Sequence, residues 1–387
     1  MAELYKGWAE PKERRALLSF LDTVFTRVHL RPVQYFLRLL PKLYKKEYDP
    51  CAHNLVIHDG KHFRAAVGLY MLDLVCGEET LRVGGIGNVA VGKKFRGMGY
   101  MKELMALAQE TAAQRGADLM VLGGLRQRYN YFGYERAGAV HVYSVTATNM
   151  RHVLGGGDAE GFSVHHVRPE DTALLDNIHA LRKKAPVHVV TARAALYDTL
   201  VSWLATPYAL LNNGRFAGYC LVHKLSGRVE ELRLVDESQF ASAVSALRQH
   251  YWRVKYFHVS PQETAANAFF ETLCENVKPE SPEAYLVLRW RHTLEVLLRQ
   301  QHTQTSLVPG EVVIEIAGHI ATENLRIAVT ESGVSVTETD DTPSVTLPHL
   351  AATRAFFAPV STERAALPPT AQAWLPLPLF LPNADMV

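Results

Sequence analysis

Between Lys93 and Met101 the chain sets three cations and two glycines close together, in Lys93-Lys94-Phe95-Arg96-Gly97-Met98-Gly99-Tyr100-Met101. The chemistry open to such a set is phosphate binding. Arg96 and the lysine pair supply charge, and each charge-assisted hydrogen bond is worth roughly 1.5–3 kcal/mol. Gly97 and Gly99 let the backbone approach a ligand with no Cβ in the way. Further along, Tyr129-Asn130-Tyr131-Phe132-Gly133-Tyr134 places three phenols around a glycine. A phenol can donate a proton or can simply fill space with its hydroxyl satisfied, and Tyr131 and Tyr134 read as packing residues.

The flanking elements decide what the basic loop is for. Leu81–Val91 reads as an apolar strand, the turn spans Gly92 to Gly99, and Met101, Leu104, Met105 and Ala108 recur at helical spacing up to a cap at Gly116. The first N–H groups of a helix lack internal acceptors and lie at the positive end of its dipole. A strand, a basic glycine turn and a helix in that order therefore make a cradle for a pyrophosphate. The Gly-Lys-Ser/Thr of a nucleotide-hydrolase loop is missing. Gly85-Ile86-Gly87-Asn88-Val89-Ala90 has dinucleotide-fingerprint spacing. It leads into a strand, however, whereas that fingerprint must open a helix. The next buried strand is Leu119–Leu122, followed by Gly123-Gly124 and the tyrosine segment.

A chain of 387 residues calls for two or three domains. With 41 basic and 39 acidic residues the formal charge is +2, which gives no footprint for nucleic acid or membrane. Cys51, Cys76, Cys220 and Cys274 are scattered without a C-x-x-C, as expected for reduced thiols in a cytoplasmic protein. The start, MAELYKGWAEPKERR, is charged and has no apolar signal core, and no run approaches ~20 apolar residues. None of the 17 histidines stands in an H-E-x-x-H, and no metal is expected.

Three blocks follow from the pattern, 1–150, 160–291 and 293–387. The first has helices near Lys12–Val28 and Val33–Tyr44, a hairpin at Leu55–His58 and Ala65–Val75, and then the loop region, and it closes on the glycine run Arg151 to Asp158. The second opens with the strand Phe162-Ser163-Val164-His165-His166 and the helix Thr172–Lys183. A hairpin joins Tyr208–Leu211 to Ala217–His223, a strand covers Glu230–Val235, a helix runs from about Gln239 to His250, and the strand Ala284–Trp290 ends the block. Its strand-to-helix junction, Asp236-Glu237-Ser238, is acidic and would repel a pyrophosphate. The third has alternating strands at Val312–Ala317, Leu325–Val329 and Val334–Thr337, a helix at about Leu347–Phe357 and a proline-rich tail.

Arg96-Gly97-Met98-Gly99-Tyr100-Met101 after an apolar strand resembles the acyl-CoA pyrophosphate loop of the GNAT N-acetyltransferases, Arg/Gln-x-x-Gly-x-Gly/Ala, with Met101 departing from the last position. Tyr129 to Tyr134 resembles the Tyr-x-x-Phe-Gly-Phe/Tyr element of the same superfamily. The order of the blocks resembles the enhanced intracellular survival (Eis) acetyltransferases, whose loop also ends on a bulky apolar residue. The resemblance implies an α/β (α+β) architecture, with a catalytic GNAT fold over 1–150, a degenerate one over 160–291 and a sterol-carrier-like domain over 293–387. It implies an acetyl-CoA-dependent N-acetyltransferase acting by direct attack of a primary amine in a ternary complex. Acetyl-CoA would lie along Val89, Ala90 and Val91, with its pyrophosphate at Arg96, Gly97, Met98, Gly99, Tyr100 and Met101, and with Gly124 and Leu125 also at the cofactor. Tyr129 would protonate the departing CoA thiolate.

An amine of pKa near 10.4 is free base in only about one molecule in 2,500 at pH 7, a penalty of roughly 4.6 kcal/mol. The strand Leu81–Val91 carries no Asp or Glu to relieve it. The resemblance implies that the carboxylate of Val387 reaches the active site as base, while Asp385 and a water chain stay open as alternatives. It also implies a homo-oligomer, up to a hexamer, and an acceptor that is a small-molecule amine or a lysine side chain. The reading from another class is a non-catalytic acyl-CoA or lipid-binding sensor or assembly protein.

Overall fold

The computed structural model describes residues 4–29, 35–155, 159 and 161–387. Val33-Gln34 of the expected second helix and Gly156-Gly157-Asp158 of the expected linker lie outside them. Two compact units emerge. One comprises Met1–Gly138, Ser281–Leu379 and Val387, and the other Ala139–Glu280 with Phe380–Met386.

The first unit is built on strands in the order Tyr5–Trp8, Asn54–His58, Phe63–Cys76, Glu79–Val91, Leu119–Leu122, Glu283–Val287 and Glu135–Ala137. Glu79–Val91 pairs antiparallel with Phe63–Cys76 from Cys76↔Glu79 to Ala65↔Val91. On its other side it pairs parallel with Leu119–Leu122 at Val83, Gly84 and Gly85. Beyond Gly85 the two parallel strands part, which frees one edge of the longer strand. A bulge adds to the splay: Gly68 faces Gly87 and Ala66 faces Ala90, so Asn88 and Val89 oppose the single Val67. Asn88 takes a positive φ of 34° there.

The helix Tyr100–Gln114 buries Leu104, Met105, Ala108 and Ala112 against Ile86, Met120, Leu122 and Leu286. Each large apolar side chain so buried contributes about 1.5–3 kcal/mol. The helix expected over 33–44 is broken into Tyr35–Leu39 and Pro41–Tyr44, because Leu40, with φ −134°, precedes a proline and leaves the helical region.

The linear blocks are corrected at two places. The strand Glu283–Val287, expected to end the second block, pairs with Leu119–Leu122 and Glu135–Ala137 of the first sheet. Val140–Ser144, expected in the first block, pairs instead with Tyr256–Val259 and Asn276–Glu280 of the other unit. Neighbours in sequence usually neighbour in a sheet, and Gly138, at φ 71°, turns the chain out of that habit. Residues 293–387 are likewise not a separate body. The helix Trp290–Thr305, a four-stranded sheet ordered Gly333–Glu338, Thr322–Thr330, Gly310–Ala317, Val345–Pro348, and the helix His349–Phe357 belong, up to Leu379, to the first unit.

The second unit has a seven-stranded sheet ordered Asn276–Glu280, Val140–Ser144, Tyr256–Val259, Val229–Leu234, Arg215–His223, Ala205–Asn212, Phe162–His166. The helix Phe240–His250 packs Phe240, Ala243, Val244 and Leu247 into its core. Among the described residues no helix is long and apolar enough to cross a membrane, and no group of three or more His, Cys, Asp or Glu is placed to hold a metal ion. All four cysteines are free.

Candidate functional site

The basic loop leaves the splayed strand at Gly92, whose N–H donates to the Arg64 carbonyl at 2.9 Å. A short turn over Lys93–Phe95 follows, and Arg96 is extended. Gly97 and Gly99 have φ of +83° and +81°, and a Cβ built on either meets nothing within 4 Å. Both points matter: the conformation favours glycine, and the space above it is open. Gly99 caps the helix, whose first internal bond is Glu103 N–H to the Gly99 carbonyl at 3.1 Å. The N–H groups of Tyr100, Met101 and Lys102 precede that bond, so the first turn presents donors toward the loop. The Tyr100 side chain turns inward, its hydroxyl accepting from Arg64 at 3.1 Å, while Arg64 also pairs with Asp59 and covers the Phe95 ring.

A cavity of about 600 Å³ collects most of the loop and strand positions that the sequence singled out. Val89, Val91, Arg96, Gly97, Gly99, Tyr100 and Met101 line it. Residues not singled out complete it: Val24 and Phe25 from the first helix, Phe95, Lys102, Arg128 and Phe132. Lys102 lies in the first turn of the helix Tyr100–Gln114, and its charge was the available signal. Val24 and Phe25 had none, being apolar residues of an amphipathic helix. Of the remaining expected contacts, Ala90 is buried, while Met98 and Leu125 are exposed.

Tyr129 ends a short helix, Arg126–Tyr129, and is nearly buried. A Cβ on Gly124 would lie 2.3 Å from its ring, so the glycine is what lets the ring settle there. Burial pushes the Tyr129 phenol up, and the neighbouring Arg128 pulls it down by charge and a hydrogen bond. Tyr134 is a core residue, its hydroxyl 3.5 Å from the Met120 sulfur, and Tyr131 is exposed. The packing role expected for Tyr134 holds, whereas Tyr131, expected to pack as well, leaves its ring exposed. The Gly133 carbonyl accepts a hydrogen bond from His349 Nε2 at 2.9 Å, so the C-terminal segment props the tyrosine loop.

Under the bulge runs a chain of neutral polar groups. The Tyr44 hydroxyl donates to Asn88 Oδ1, Asn88 Nδ2 donates to Asn54 Oδ1 at 2.8 Å, and Asn54 Nδ2 donates to the Tyr70 hydroxyl at 3.3 Å. Burial holds Tyr44 well above the usual phenol range and pushes Tyr70 up to about 12, so both stay protonated. Over the same strand lies the end of the chain. Val387 Cγ2 is 2.5 Å from the position a Gly85 Cβ would take, and the Val387 carboxyl carbon is 3.6 Å from that of Gly87. Asp385 is removed as an alternative base. It is buried in the second unit, where Arg182 donates to it at 2.7 Å and Thr191 at 3.4 Å.

Residues 9–137 match the family model described as the acetyltransferase (GNAT) domain. The chain therefore carries an acyltransferase domain of the GNAT class, in which acyl groups come from acyl-CoA. Solved structures similar over nearly the full length share the fold. One is a GCN5-related N-acetyltransferase from Kribbella flavida, at 15% identity and TM-score 0.68 over 97% of this chain and 95% of that one. Another is a GCN5-related N-acetyltransferase from Anabaena variabilis, at 14% identity and TM-score 0.65 over 98% and 99%. A third is Eis1 from Mycobacterium abscessus, at 15% identity and TM-score 0.63 over 96% and 95%. Among curated proteins none matches.

Proposed function

We propose that this protein transfers an acetyl group from acetyl-CoA to a primary amine, of a small molecule or a lysine side chain, by direct attack in a ternary complex. The observation that carries the reading is the open glycine loop at the head of a 15-residue helix, set beside the freed edge of a splayed strand. Backbone amides of Val89 and Val91 hold the pantetheine arm as an added strand would be held, and those from Gly97 to Met101 with Arg96 hold the pyrophosphate. The amine nitrogen attacks the thioester carbonyl carbon, the C–N bond forms, and the C–S bond breaks with its electron pair on sulfur. Tyr129 gives that sulfur a proton. Ordinary pKa values of about 10 and 8.5 make this transfer uphill by ~2 kcal/mol; burial of Tyr129 adds to that, and the Arg128 charge offsets part of the addition. The Val387 carboxylate takes the proton that the ammonium must lose before attack, and the second proton, shed by the nitrogen as the amide forms, replaces the one that Tyr129 gave to sulfur.

The Eis-type assignment, the sterol-carrier-like reading of 293–387 and assembly into a homo-oligomer belong to this same reading and rest on the order of elements, while a cytoplasmic location rests on the scattered cysteines. The test is release of CoA thiol from acetyl-CoA on adding a panel of amines, with transfer confirmed by the mass of the product. A protein that binds acetyl-CoA and releases no thiol with any amine is instead an acyl-CoA sensor.

A further inference from the structure

Glu283 opens the strand between Leu119–Leu122 and Glu135–Ala137. Ala284 faces Leu122, so Glu283 stands across from Gly123, the residue that follows that strand. Its Oε2 is buried without a hydrogen-bond partner and lies 3.2 Å from where Gly123 would carry a Cβ. Leaving a buried acceptor unpaired is costly, and proteins seldom do so without a use. The nearby cation does not pair with it: Arg136 donates to the carbonyls of Ser281, Pro282 and Gly124.

The strand register shows where this oxygen points. Gly85 pairs with Val121 and Val121 with Tyr285, so the three share one face, and Gly87, Gly123 and Glu283 lie two residues further along on that face. Val387 covers Gly85 and Gly87 on the same face. Glu283 and the end of the chain therefore flank the gap where the strands part, one to two strand spacings or ~5–10 Å from each other. Neither Gly87 nor Gly123 adds a side chain of its own here: the Tyr70 ring and Val387 lie over Gly87, and Glu283 itself lies over Gly123.

We propose that Glu283 is a binding residue of the acceptor site, holding an ammonium group of the acceptor at this gap and selecting cationic over uncharged nucleophiles. The inference rests on the acyl-transfer reading above. No bond is made or broken at Glu283; an ammonium N–H donates to the oxygen that the fold leaves unpaired. Burial holds the Glu283 carboxyl at about 7 against the lowering charge of Arg136, with Tyr285 as its other titratable neighbour. Ammonium binding therefore strengthens as pH rises through 7.

The experiment titrates butylammonium and aniline, the second uncharged at neutral pH, into CoA-saturated protein at pH 8 by calorimetry. Glu283→Gln should weaken butylammonium binding about tenfold or more and leave aniline unchanged. Gly123→Ala, whose Cβ must displace Oε2, should act in the same direction. Thermal midpoints near the wild-type value certify both folds. Equal butylammonium affinity in Glu283→Gln and wild type, an equal loss for aniline, or no butylammonium binding to wild type would overturn the proposal. Binding through Glu283 with no thiol release from acetyl-CoA would overturn the transfer reading alone.

Discussion

Each unit carries a junction where a central strand hands over to a helix, and beside each lies a cavity of similar size, about 600 Å³ in the first and about 640 Å³ in the second. Their chemistry is opposite. In the first, Gly97 and Gly99 bend the chain away, Arg96 and Lys102 line the space, and the first helical amides point at it. In the second, Asp236 turns back on its own junction. One oxygen accepts from the Ser238 N–H at 3.0 Å and the Ser238 hydroxyl at 2.6 Å, and the other from Gln239 at 3.1 Å. These bonds hold the Asp236 carboxyl below the usual range, so a fixed anion stands where a phosphate would sit. The cavity's one buried arginine, Arg233, is paired with Glu263 at 2.6 Å. Cavity volume therefore does not decide what binds. The occupant of the helix amides does.

The sharpest break in this asymmetry is at Tyr129. Tyr129→Phe should lower kcat by roughly 10²–10⁴ with acetyl-CoA affinity nearly intact, because only the transition state uses the hydroxyl. Stopped-time assays of thiol release at saturating acetyl-CoA read this directly. If Tyr131→Phe is the variant that loses turnover, the acid has been misassigned.

Next comes the end of the chain. One or two residues added after Val387 should cut turnover about a hundredfold or more, since each moves the carboxylate ~3.3–3.6 Å. Val387→Leu should keep most of it. Full activity in a C-terminally extended protein, measured by steady-state kinetics, would remove Val387 as base.

A third effect appears in stability. Burial lowers His349 from 6.5 to about 4, so it stays neutral in the fold while the unfolded chain takes up a proton below 6.5. The contribution is complete above pH 6.5 and is lost as pH falls toward 4, reaching about 2 kcal/mol at pH 5. Urea unfolding at pH 7 and pH 5 should show this loss in wild type and a smaller one in His349→Gln. Equal losses would mean that the propping of Gly133 is not what titrates.

A smaller effect is expected at Arg96. Arg96→Ala removes one charge-assisted contact of roughly 1.5–3 kcal/mol and should weaken acetyl-CoA about ten- to a hundredfold without changing the thermal midpoint. Calorimetry checks both halves of the statement.

The cofactor half of the proposed site draws on signals that are local in sequence. A strand, two glycines, three cations and a helix occupy neighbouring positions between Leu81 and Gln114, and each states its own backbone requirement. The proposed acceptor half is assembled by strand order, which no local signal gives. Nothing in Glu283-Ala284-Tyr285-Leu286-Val287 says which sheet will take it, and only that pairing sets Glu283 beside Gly123. Asp385 read as a candidate base from its nearness to the chain end, and what overturned it was a partner, Arg182, far away in sequence. The strand Tyr5–Trp8 escaped notice inside a charged segment, since four half-exposed residues show no clear alternation. The acidic junction Asp236-Glu237-Ser238, by contrast, was read as unfit for a pyrophosphate from its charge alone, and the structure adds that the Asp236 side chain accepts from the Ser238 N–H.

Counting acetyl-CoA sites on the full chain tests the asymmetry most directly. Calorimetric titration of wild type, Gly99→Val and Asp236→Ala is the measurement, with circular dichroism to certify each fold. The expected result is one site per chain, lost in Gly99→Val, where a β-branched residue cannot hold φ +81°, and unchanged in Asp236→Ala. Two sites per chain, or a folded Gly99→Val that binds as wild type does, would contradict the account.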